Sequence, residues 1–263
     1  MYTKSILAFV FCATSLVSAH GNVQVVTGDQ GGNGTALGIK GAVVARFGKN
    51  SATEKDTTVF GGNANKPLAD GLGKTTANGK LAVSDLKDAM ALSGSTLPQV
   101  SGDGSGTITG TWRIVTSDGT ANNKKGELFA VVDETGTGEY SKGTQLTATS
   151  SMVGNGQGNV VQRTVARALK AVGIQKRATN VGADAQFSVK IPSGLSCSGS
   201  DSASGASNFC LMKIVNNNGN GPFGGNIAFK IAGDSTGNTT AAASTNNASK
   251  SSKSNKKGQA FKA

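Results

Sequence analysis

The sequence predicts a mainly β fold, an antiparallel β-sandwich with one or two short helices and a disordered C-terminal tail. Three observations predict it. Short β-branched runs alternate with Gly/Asn/Asp/Ser clusters along most of the chain, which is the rhythm of antiparallel strands joined by turns. The 263 residues include 38 Gly, about twice ordinary usage, which favours turns over helices. Eight strand-like runs are present, enough for two layers.

In chain order, residues 1–19 come first. Lys4 precedes an apolar run from Ile6 to Val17, and Val17, Ser18 and Ala19 place small side chains at the exit, so the segment reads as a secretory signal peptide. Cleavage after Ala19 would make His20 the new N-terminus. Residues 20–233 then form the sandwich domain, with strands expected at 22–27, 41–47, 107–115, 128–133, 144–150, 185–191, 209–215 and 227–231. Beyond residue 19 no apolar stretch reaches the length of a membrane span.

Two segments interrupt the strand pattern. Residues 84–92 suit a short helix, with Ser84 as N-cap, Asp85 in the first turn and Gly94 past the end. Residues 159–172 suit a second one. Val161, Val165, Ala168, Leu169 and Val172 form an apolar stripe, Arg163, Arg167 and Lys170 lie away from it, and Gly173 closes it. The glycines at 154, 156 and 158 lack the Gly-Lys-Ser/Thr ending of a phosphate-binding loop, so they read as a flexible lead-in. From 234 to 263 the composition turns to Ser, Thr, Asn, Ala and Lys. Such a tail buries too little apolar surface to order itself.

Cysteine usage fits export. The chain has three Cys, and removing the leader takes Cys12, leaving Cys197 and Cys210 to pair in an oxidising compartment. Asn33, Asn238 and Asn247 begin N-glycosylation sequons.

The charged and aromatic residues narrow the function. Net charge is +11, but the basic residues of the body are scattered and no aromatic platform interleaves them, so nucleic acid is not the expected partner. Lys250, Lys253, Lys256, Lys257 and Lys262 in the tail would attract an acidic polymer surface at low salt. Carboxylates such as Asp118 and Glu134 sit in Gly/Thr/Ser turns, where they act as turn formers rather than as a glycosidase pair. The sequence holds one His, which rules out a zinc site of two or three imidazoles. An N-terminal His20 could still chelate copper through its amine and ring, with Asp103 as a substitute for a second imidazole.

A set of segments in order carries a resemblance: His20-Gly21, 26–32 with 36–38, 97–106, Arg163 to Ile174, 191–194, Cys197, Cys210-Leu211 and 221–225. On these the chain resembles the secreted fungal appressorium-specific cell-surface proteins, a virulence-factor family with distant similarity to polysaccharide monooxygenases. The resemblance implies a monooxygenase-like, immunoglobulin-type β-sandwich and a role at the fungus–host surface. Pro98 stands where the family pattern places a second histidine. Stretches 108–112 and 212–214 lack the further cysteines of that pattern. The expected function is therefore that of a secreted, non-catalytic surface or matrix factor in appressorium-mediated host penetration, without cofactor, binding cell-wall polysaccharide or a host surface. The alternative is a copper-dependent polysaccharide oxidase with an altered site at His20 and Asp103.

Overall fold

The protein is described from a computed structural model, which covers residues 20–42, 44, 54–61, 68–115, 128–150, 182–216 and 221–233. The expected leader, the 159–172 helix, the tail and the sequons at Asn238 and Asn247 lie outside the described residues.

The long strands follow the β-branched runs: β1 (Gly21–Gly28), β7 (Thr107–Ile114), β8 (Leu128–Asp133), β9 (Thr144–Ser150), β10 (Asp184–Lys190), β12 (Ala206–Asn216) and β13 (Phe223–Ile231). Short strands fill the turns between them: β2 (Gly31–Gly34), β3 (Thr58–Val59), β4 (Lys74–Thr75), β5 (Gly79–Lys80), β6 (Gln99–Val100) and β11 (Gly199–Asp201). The strand expected at 41–47 is corrected over its described part, since Gly41, Ala42 and Val44 are not in a strand. A side chain supplies the reason. Asp56 Oδ2 accepts the Ala42 N–H at 2.6 Å, taking a donor that a ladder would need.

The strands join in the order β2-β1-β7-β10-β9-β8-β12-β13-β3-β4-β5, antiparallel at each step. Among the described residues only the side pairing of β6 with β13 is parallel. β9 hydrogen-bonds to both β10 and β8, so the two halves of the sandwich are continuous along that side. The path folds back until β1 packs on β13. Between the halves lies a core of Val23, Val26, Ile108, Trp112, Phe187 and Val189 against Ala130, Val132, Met212, Ile214, Ile227 and Phe229. Period-2 alternation sends these side chains inward. Gly225 permits the close approach of β13 to β1 and to the stretch after β2, because a Cβ there would lie 3.3 Å from Val23 Cβ and 2.6 Å from Ala36 Cβ.

The outer face of the second half is also buried, under a third layer. Val131, Phe209, Leu211 and Ala228 pack there against Leu37, Leu72, Leu81, Leu86, Ala89, Leu97 and Tyr140. That layer carries α1 (Leu86–Leu92), entered through a 3-10 turn at Val83–Asp85. The expected N-cap at Ser84 is corrected, as Ser84 lies inside the 3-10 turn. Asp85 does the capping instead, its Oδ2 accepting the Ala82 N–H at 2.8 Å while Oδ1 accepts from Asn78 Nδ2 at 2.7 Å. The helix stops where Gly94 adopts φ 90°.

Cys197 and Cys210 form a disulfide, with a Cα–Cα distance of 4.7 Å. Glu134 fastens the same loop. Its Oε2 accepts the Ser196 N–H at 2.6 Å, and its backbone oxygen accepts the Ser198 N–H at 2.8 Å.

Candidate functional site

β1 and β7 run side by side from Gly21↔Ile114 at one end to Gly28↔Ile108 at the other. The first end holds His20. Its backbone oxygen accepts the Val115 N–H at 2.9 Å. Its imidazole is nearly buried, with Nδ1 at 3.2 Å from Glu54 Oε1 and the ring centroid 3.9 Å from that of Phe223. Gly21 lets the Trp112 indole close in beside it, because a Cβ would lie 2.2 Å from Nε1. The pocket of the ring is thus built from β1, β13 and the Glu54 turn.

The second end holds Asp29, Asp103 and their hydrogen-bond partners. Asp103 is exposed, and its Oδ1 accepts from Ser105 N at 2.8 Å and Ser105 Oγ at 2.6 Å. Those bonds, side chain first, lower its pKa. It works as a turn former. Asp29 does more, tying three segments together: it accepts from Thr107 N at 2.9 Å, Ser101 Oγ at 2.7 Å and Gln30 Nε2 at 2.9 Å. Desolvation pushes its pKa up, but the hydrogen bonds from Thr107, Gln30 and Ser101 together outweigh this and hold it at about 2. A depressed carboxylate stabilises the fold above its ordinary value of 3.8, and this is lost as pH falls toward 2. Asp29→Asn should therefore flatten the loss of stability across that window, read as the difference in urea midpoint between wild type and variant. Exposure keeps the effect below about 1 kcal/mol.

His20 and Asp103 do not share a site. They flank opposite ends of a ladder that is seven residues long in β7, roughly 20 Å at an extended rise. A single ion cannot take ligands from both. At the His20 end the ring nitrogen nearest the backbone, which an amine–imidazole chelate would use, faces Glu54. The donor set does not fit the copper arrangement considered from the sequence, and no group of three or more His, Cys, Asp or Glu that could hold a metal occurs among the described residues. Asn33 is exposed on β2, with Oδ1 accepting from Thr27 Oγ1 at 2.9 Å.

The most unusual polar centre was not singled out by sequence reasoning. Lys213, in the middle of β12, points into the third layer and is 1% exposed. Its ammonium lies over the rings of Tyr140 at 4.3 Å and Phe60 at 4.7 Å, and donates to the Ala69 carbonyl. Its cross-strand neighbour Asn226 accepts from Tyr140 Oη at 2.8 Å and donates to the Leu72 carbonyl at 2.7 Å. Burial lowers the Lys213 pKa to about 8, with Asp70 pulling weakly the other way. Burial also pushes the Tyr140 hydroxyl well above its usual value, with Asp133 adding to it. The signal was a lysine inside the apolar run Cys210-Leu211-Met212-Lys213-Ile214-Val215. The arrangement stitches two carbonyls of the 68–73 stretch, part of the third layer, to the sheet. It is sealed from solvent, so it serves the architecture.

The comparisons with known proteins agree with the sequence resemblance. Over 239 residues the chain is 28% identical to the appressoria-specific virulence factor GAS1 of Pyricularia oryzae, a stretch that covers 90% of this chain and 81% of that protein. No solved structure matches. The model of the Egh16-like virulence factors matches residues 18–224, from the His20 end through the disulfide to the start of β13, so the chain belongs to the Egh16-like virulence factor family.

Proposed function

We propose that this protein is a secreted, non-catalytic surface or matrix factor that acts in appressorium-mediated host penetration by binding cell-wall polymers. Family membership supports the setting, and the relative's name ties that protein to appressoria and virulence. One observation supports the non-catalytic part: the lone imidazole and Asp103 lie at opposite ends of the β1–β7 ladder, so the side chains that would complete an oxidative metal site are not assembled. The bridge between Cys197 and Cys210 suits an oxidising, extracellular setting. Among the described residues no helix is long and apolar enough to cross a membrane.

The test is a pull-down of the processed protein with insoluble chitin, β-glucan and cellulose, without reductant. Retention on at least one polymer is the expected result. Retention on none of them sinks the reading and leaves a host receptor as the partner to seek.

A further inference from the structure

The two outer faces of the sandwich differ. The second half is covered by the third layer, whereas the first half, made of β1, β7, β10 and β9, leaves its described outward side chains exposed or half-exposed, with Asn22 as a buried exception. Successive register pairs, Asn33↔Thr27, Thr27↔Thr109, Thr109↔Ser188 and Ser188↔Thr149, place one polar row across five neighbouring strands. At ordinary strand spacing its four hydroxyls span about 14 Å. A second row, Val25↔Thr111 and Thr111↔Gln186, lies beside the first.

This face is almost without charge in a chain of net +11. Arg113 and Asp184 neutralise each other through two bonds, Nε to Oδ1 at 2.6 Å and Nη2 to Oδ2 at 2.7 Å, and Lys190 is the other charged residue on the described parts of these strands. Phosphate-bearing partners need clustered Lys and Arg. Protein partners are anchored by buried aromatics and Arg, with Thr and Ser contributing little. Apart from the exposed Val25 and the charged residues just named, the outward positions of the two rows are Thr, Ser, Asn and Gln, whose groups both donate and accept. That complements a neutral polymer which itself presents hydroxyls that donate and accept. Individually weak bonds become useful when a flat, ordered polymer meets the whole row at once.

We infer that the solvent face of β1, β7, β10 and β9, centred on the row Thr27, Thr109, Ser188 and Thr149, is the docking surface for an uncharged, ordered wall polysaccharide. The inference rests on the wall-binding reading above and names its surface. The variants T109V/T149V and T109E/T149E test it, the first removing hydroxyls while keeping β-branched shape and the second setting two charges into the row. Lys87→Glu on α1 is the control, and circular dichroism confirms folding of each. Expected are retention of wild type and control on insoluble β-glucan or chitin in 1 M NaCl, at least about a fivefold loss for T109E/T149E, and a smaller loss for T109V/T149V. Retention of T109E/T149E at the wild-type level overturns the surface assignment while the wall-binding reading stands. Binding that disappears at high salt for every protein assigns it to the tail lysines and also overturns the inference. Absence of wild-type binding under all conditions removes both.

Discussion

Replacing Cys197 and Cys210 together by Ala lowers the stability of the folded protein by about 3 kcal/mol, the value chain entropy assigns to a bridge closing a loop of this length. The loop from Ser198 to Ser207 is rich in Gly, Ser and Ala and has few side chains with which to order itself. Cys210 is fully buried on the inward face of β12 beside Met212 and Ile214, so the bridge ties this weak segment directly to the core. Glu134 remains as a second fastening through Ser196 and Ser198, which keeps the double variant folded. The thermal midpoint should fall by roughly 6–12 °C for a protein of this size. Dithiothreitol should shift wild type by a similar amount and the variant not at all. A fall under 1 kcal/mol would show that Glu134 alone holds the loop.

Lys213 gives the second large effect, and it depends on pH. Burial holds its pKa at about 8, below the ordinary 10.5, so the unfolded chain binds the proton more tightly than the folded one. Stability therefore rises with pH between 8 and 10.5, by about 3 kcal/mol at full effect. At neutral pH the ammonium persists, held by the faces of Tyr140 and Phe60 and by the Ala69 carbonyl. Lys213→Met keeps the stem and removes the titration. The urea midpoint of wild type should climb relative to that of the variant as pH rises through this window. Burial and Asp133 push the Tyr140 pKa upward from 10.0, so its own linkage lowers stability as pH rises through that value, but both proteins carry this contribution and it drops out of their difference. Parallel profiles for the two proteins would mean that Lys213 is solvated.

Much of this architecture is written in local sequence. β8 and β9 start and stop where the β-branched runs do, because Gly, Asp and Ser clusters end them. β2 is different. Gly31-Gly32-Asn33-Gly34 has no strand propensity, and it pairs because the hairpin brings it against Val26 and Thr27. The third layer was hidden for a related reason. Its leucines, at 37, 72, 81, 86 and 97, are far apart in sequence and acquire a shared face only when the sheet beneath them forms. The site residues divide in the same way. The disulfide follows from an even count of cysteines after export, whereas the separation of His20 from Asp103 is set by the antiparallel register of β1 and β7. Lys213 reads as a core strand position by pattern, and its aromatic partners come from Phe60 and Tyr140, distant stretches of chain.

The non-catalytic proposal depends on the separation of His20 from Asp103 along the β1–β7 ladder. Its most direct test incubates processed protein beginning at His20 with copper, ascorbate and either β-glucan or chitin, and reads soluble oxidised oligosaccharides by mass spectrometry. The predicted result is none above the level given by free copper, with His20→Ala indistinguishable from wild type. Sustained release that requires copper and disappears in His20→Ala would contradict the account.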